Sequence, residues 1–72
     1  MEVLVRTPTG VVIHINATGS SKIEDVKILI NGVDNSYSLD DFNLSSSGQI
    51  MEDSKTLADY NVRQETVIQM VR

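Results

Sequence analysis

Apolar and polar positions alternate from the first residue. Met1, Val3 and Val5 share one parity and Glu2, Leu4 and Arg6 the other, the period of a half-buried strand. Ile13 and Ile15 against Val12 and His14 repeat that period across Val11 to Ala17. Between them, Thr7-Pro8-Thr9-Gly10 reads as a turn. Proline fixes φ at the second position, and glycine supplies the positive φ of a bulge, so the two strands are predicted to form a hairpin. The period then changes. Ile23, Val26 and Ile30 fall on one helical face, Ser21 and Glu24 have the spacing of a capping box, and Gly32 is the expected helix stop. Ile28 and Leu29 lie outside the inward face, either covered by the next loop or exposed.

From Val33 to Phe42 the pattern weakens to turn signals, Asp34-Asn35-Ser36 and Leu39-Asp40-Asp41-Phe42. Leu44 starts a third strand that continues through Ser45-Ser46-Ser47-Gly48 into a turn and then Gln49-Ile50-Met51. Serine is a poor strand former, so a short or mobile edge is predicted there. Met51 to Val62 packs a strand end, the acidic turn Glu52-Asp53-Ser54 and a helical turn capped by Thr56 into twelve residues, with Leu57 and Val62 as its apolar anchors. Glu65 to Arg72 is the last strand, with Ile68 and Met70 on one face and Val67, Gln69 and Val71 on the other. No internal repeat or linker interrupts the chain, so residues 1–72 form one α+β domain, a mixed sheet packed on one helix. The predicted core is Val3, Val5, Ile13, Ile15, Ile23, Val26, Ile30, Leu44, Met51, Leu57, Val62, Ile68 and Met70.

Three runs carry a resemblance. Thr7-x-Thr9-Gly10 between two strands, Ile23-Glu24-Asp25-Val26-Lys27 on the helix, and Thr56-Leu57 followed by Asp59-Tyr60-Asn61-Val62 stand in the order and spacing of the ubiquitin family, and the likeness covers essentially the whole chain. It implies the β-grasp fold. This chain departs from the family between Val33 and Phe42, where two adjacent prolines are usual and none is present, and it is one residue longer there.

What the resemblance implies for function depends on three features. The family's conjugated members end in a flexible Gly-Gly tail, whereas this sequence ends at Arg72; as given it is not expected to be activated, and a domain inside a longer polypeptide is expected. The family's receptor-binding patch takes a Leu in the first turn, an Ile on the third strand and a Val on the last. The matching residues here are Pro8, Ser45 and Val71. Losing the centre of that patch should remove hot-spot energy on the order of 2 kcal/mol, so ordinary ubiquitin receptors are not expected to bind. Of the chain-forming lysines only Lys27 survives; Arg6, Val11, Leu29, Gln49 and Gln64 stand where others would be. Lys27 is therefore the one candidate acceptor lysine, although its place near the inward side of the helix suits a stem packed on the sheet.

Composition removes other classes. With no cysteine there is no disulfide framework, thiolate metal site or cysteine nucleophile. A formal net charge of −4 with scattered Lys and Arg does not fit nucleic acid, whose affinity rests on neutralised phosphates. No apolar run is long enough to span a membrane, and no signal segment opens the chain, so a cytoplasmic or nuclear setting is expected. His14 is the lone histidine, the acidic pairs Asp40-Asp41 and Glu52-Asp53 lack the alternation of a calcium loop, and the serines have no base beside them. No cofactor and no catalytic residue are expected, and the domain is expected to be a monomer that binds protein. By strand parity, Leu4, Val12 and Val67 point away from the helix with Glu2, Arg6 and His14 around them and Val71 on the same side, a candidate partner surface. Two functions are carried forward. The first is a non-covalent interaction module within a larger protein; the alternative is a modifier released from, or transferred by, a polyprotein precursor whose processing element follows residue 72. A structural spacer is a third reading, which would show no saturable partner.

Overall fold

Alternation of β-branched residues draws the first two segments into strands, and the computed structural model, which describes residues 1–72, places them at one side of a five-stranded sheet. The elements are β1 (Glu2–Arg6), β2 (Val12–Asn16), α1 (Ile23–Val33), β3 (Asn43–Ser46), β4 (Gln49–Ile50), a 3₁₀ turn (Ala58–Tyr60) and β5 (Val67–Val71). The strand order is β2-β1-β5-β3-β4. β1 and β5 run parallel at the centre, and every other pair is antiparallel, so the sheet is mixed and α1 covers one face of it. This is the α+β, β-grasp arrangement that the residue pattern implies.

Turn chemistry fixes both hairpins. Between β1 and β2, the Gly10 N–H donates to the Thr7 carbonyl at 3.0 Å and the Thr7 N–H to the Val11 carbonyl at 2.8 Å, with Gly10 at φ +89°. Between β3 and β4, Ser47 and Gly48 both take positive φ, 53° and 77°, the two-residue turn whose twist matches that of the strands. The serine run thus contributes Ser45 and Ser46 to a strand, and the short edge is the two-residue β4.

The helix ends differ from the reading of its sequence. The Ser21–Glu24 capping box does not form. Lys22 precedes the helix without a side-chain cap, and the free amides of Ile23 and Glu24 donate to the carbonyls of Lys55 (2.9 Å) and Asp53 (3.2 Å). Ser21 Oγ accepts the Thr18 N–H instead. At the other end Gly32 lies inside the helix, not beyond it; α1 continues to Val33, and the Asp34 N–H closes it on the Ile30 carbonyl at 2.9 Å. Ile28 and Leu29 are exposed. The last strand also starts later than predicted, at Val67, because Glu65 sits at φ +64° and donates its N–H to the Glu2 carbonyl.

Residues 51–62 seal the end of the core, as their pattern suggests. The Thr56 N–H donates to Asp59 Oδ2 at 2.9 Å and the Asp59 N–H to Thr56 Oγ1 at 3.3 Å, a reciprocal cap. Asn61 takes the left-handed conformation at the C-terminal end of the turn. Tyr60 Oη accepts the Glu52 N–H at 2.8 Å and pins the acidic turn. All thirteen predicted core residues are buried. Ala17, Tyr37 and Phe42 join them, the two rings meeting edge to face at 6.3 Å.

Candidate functional site

The period of two that buries Val3, Val5, Ile13, Ile15, Ile68 and Met70 sends their neighbours to the outer face of the sheet. Register decides which of those neighbours meet. Leu4 lies directly across from His14 on β2 and from Val67 on β5, so the three form one row over the middle of the sheet. Arg6 lies between Val12 and Gln69 in the next row, which places Val12 diagonal to Leu4 and within reach of it. Leu4 is half-buried, whereas Val12 and Val67 are 43% and 45% exposed. Leu4, Val67 and Val12 therefore make a small contiguous apolar cluster.

Charges rim this cluster on the β2 side. His14 Nδ1 lies 3.4 Å from Glu2 Oε2, and both side chains are about half exposed or more. The Glu2 N–H donates to Gln64 Oε1 at 2.8 Å. The amino terminus donates to the Ala17 carbonyl at 2.6 Å, which holds the start of β1 against the end of β2. Beside them is an open depression of about 410 Å³, lined by Met1, Glu2, His14, Ile15, Asn16 and Gln64. Its donors and acceptors are largely committed to one another. It extends the rim of the apolar cluster, with the His14–Glu2 pair on its wall.

Val71 is not part of this cluster. It pairs with Asn43, four residues beyond Val67 on β5, and Gln69 separates the two valines on that face. Ser45, half-buried, lies across from Gln69 and Ile50, so the middle of that half of the sheet is polar. Ile50 is 50% exposed and joins Val71 as the apolar margin of a polar centre. The pattern of the sequence did not single out Ile50, because a two-residue strand has no period to read. Pro8 is exposed in the β1–β2 turn. Of the three positions of the degenerate patch, Val71 alone presents an aliphatic side chain from a strand.

Lys27 is buried, 6% exposed, with Nζ 2.8 Å from Asp53 Oδ1 and 5.8 Å from the centre of the Phe42 ring. Asp53 is held there by the turn whose backbone carbonyl also accepts the Glu24 amide. As a candidate acceptor, Lys27 is thus ill placed, since its amine would have to leave a charge partner and an aromatic face to act as a nucleophile. The same aromatic pair extends to the end of the chain, where the Arg72 guanidinium lies 5.6 Å from the centre of the Tyr37 ring. No group of three His, Asp or Glu side chains is arranged to hold a metal ion, and no buried side-chain polar atom lacks a partner. No helix is long and apolar enough to cross a membrane.

Chain order, register and buried positions together describe a β-grasp domain with one apolar cluster on its open sheet face. A family model described as the ubiquitin family matches residues 3–72 of this chain.

Proposed function

Since the chain belongs to the ubiquitin family, we propose that it works as a non-covalent protein–protein interaction module, docking a protein partner on the outer sheet face centred on Leu4. The observation that carries this reading is the row His14–Leu4–Val67 with Val12 diagonal to it, apolar at the centre and charged at the margin. That composition is what a small recognition surface needs: an anchor that loses water on binding and a rim that sets orientation. The family's usual patch is a poor alternative in this chain, because Ser45 and Gln69 occupy its centre. A hydroxyl and an amide there must keep their hydrogen bonds when covered, so an apolar partner gains little from burying them.

The test begins with a denaturing blot of source-cell extract, using an antibody to this domain, and a native pull-down from the same extract. One discrete species on the blot and a saturable partner in the pull-down are expected. Leu4→Ala and Val67→Ala should each weaken that partner by about tenfold, the loss of one modest hot spot. Unchanged capture by both variants would sink the Leu4 face. A ladder whose peptides carry this domain's C-terminus on lysine would make the protein a modifier instead.

A further inference from the structure

The outward side of α1 carries an apolar stripe that no part of the chain covers. Ile28, Leu29 and Val33 are 53%, 41% and 61% exposed, and they share that side with Gly32. Their spacing, i, i+1, i+4 and i+5, sets two adjacent rows along the last two turns of the helix, opposite the buried face of Ile23, Val26 and Ile30. A surface helix ordinarily turns polar residues outward, so these three large side chains run against the pattern.

Gly32 is the second observation. Nothing lies within 4 Å of where its Cβ would stand, and its φ is not in the left-handed region. Neither packing nor backbone geometry within this chain therefore calls for glycine, although glycine inside a helix is less stable than alanine. What glycine supplies is a notch between Ile28 and Val33 through which another backbone can approach.

The occupant follows from the helix's own chemistry. Apart from its ends, where Ile23 and Glu24 donate to Lys55 and Asp53, the backbone of α1 is bonded within the helix, so a partner strand finds no edge to extend, and the contact must be side chains packed into grooves. Charge then selects among helices. Exposed Glu24 and Asp25 stand in the first turn, Asp34 closes the last, and no basic residue lies in that last turn. Lys27, the helix's own cation, is buried on Asp53, and Lys55 on the neighbouring turn lies 4.0 Å from Glu52, which leaves Lys22, just before the helix, as the nearby cation outside an ion pair. Asp34 accepts the Ser36 N–H and hydroxyl, and these bonds hold its carboxyl below the usual range, so the C-terminal end of the stripe stays negative. Two copies laid antiparallel would set Glu24 and Asp25 of one against Asp34 of the other. Laid parallel, they would oppose like charges at both ends. A second copy is disfavoured either way, and a cation-bearing partner is favoured.

We propose that the Ile28–Leu29–Gly32–Val33 stripe is a second docking surface, facing away from the sheet, that takes a cationic amphipathic helix of another protein. The test uses the 72-residue chain labelled with ¹⁵N and a synthetic peptide of roughly 18 residues, long enough to be helical, with leucine on one face and lysine and arginine on the other. A sister peptide carries glutamate at every cationic position. The cationic peptide should shift the amides of Ile28, Leu29, Gly32 and Val33 saturably, and the glutamate peptide should bind about tenfold more weakly or worse. Ile28→Lys should weaken the cationic peptide by about tenfold while the amide shifts of the sheet stay in place. Gly32→Ala should raise the thermal midpoint by several degrees and yet weaken the peptide, a split that a merely structural glycine would not produce. Equal binding of the two peptides, perturbed amides elsewhere, or full binding by Ile28→Lys or Gly32→Ala would overturn the proposal. So would concentration-dependent shifts of the same amides without peptide, which would make a second copy the occupant.

Discussion

Lys27 shows what one residue's surroundings decide. Its position on the helix implied a stem packed inward, and its side chain is buried with the ammonium on Asp53 and against Phe42. The partner was not legible, because Asp53 comes from a turn twenty-six positions away and no period links the two. Removing the carboxylate charge leaves the ammonium without its counter-charge. Asp53→Asn is expected to cost about 2 kcal/mol, less than a fully buried pair because Asp53 is half exposed. Lys27→Met, which keeps the stem and removes the charge, is expected to be close to neutral; guanidinium unfolding of the two variants checks the order. Two further carboxylates set a pH limb. The Thr56 amide and hydroxyl hold Asp59 below its ordinary value, with help from Lys55, and Ser36 does the same for Asp34. Their folded values lie below the unfolded one, so the stability they contribute is present above about pH 3.8 and is lost as pH falls through the lowered values. Asp59→Asn is therefore expected to unfold with a shallower pH dependence below pH 4 than the parent, as read from thermal midpoints in steps of pH.

At the scale of elements, what could be read was local. Hairpins were legible because their turn residues and alternation lie side by side in sequence, and the core positions on the strands and helix followed from periods of two and of 3.6, with Leu57 and Val62 read as anchors of a capped turn. The helix ends were misread because their partners are remote. The amides at the start of α1 are satisfied by carbonyls of Asp53 and Lys55, which make Ser21 unnecessary as a cap, and Gly32 stays helical because no left-handed residue closes the helix. Tyr37 and Phe42 escaped notice for a different reason. They sit in an aperiodic stretch shaped by the Asp34–Ser36 turn and by Asn31 Nδ2 donating to the Tyr37 carbonyl at 2.8 Å. On the sheet face the row of Leu4 and Val67 was legible from parity, whereas the exclusion of Val71 needed the register. The β3–β4 hairpin offers the test at this scale. Ser47 sits at φ +53° in a turn that favours Asn followed by Gly, so Ser47→Asn is expected to stabilise the domain by about 0.5 kcal/mol, seen as a higher denaturant midpoint at unchanged slope.

For the whole molecule, one thin core separates two candidate surfaces. The chain folds into a body of 27 × 22 × 21 Å, with the Leu4 cluster outside the sheet and the Ile28 stripe outside the helix. Sixteen buried apolar residues carry the fold, and a domain of this length has a net stability of roughly 4–11 kcal/mol. Substitutions should therefore divide by layer. Ile30→Ala empties a fully buried site on the inner side of α1 and is expected to cost about 3 kcal/mol, a large share of the total. Ile28→Lys, two residues away on the outer side of the same helix, and Leu4→Ala, on the far face of the sheet, are each expected to stay within about 1 kcal/mol of the parent. Guanidinium unfolding with a common slope measures all three. If Leu4→Ala cost as much as Ile30→Ala, Leu4 would be a core residue, and its conspicuous place on the sheet would reflect folding rather than recognition. A small cost leaves folding out of the account, and any loss of partner then belongs to the surface itself.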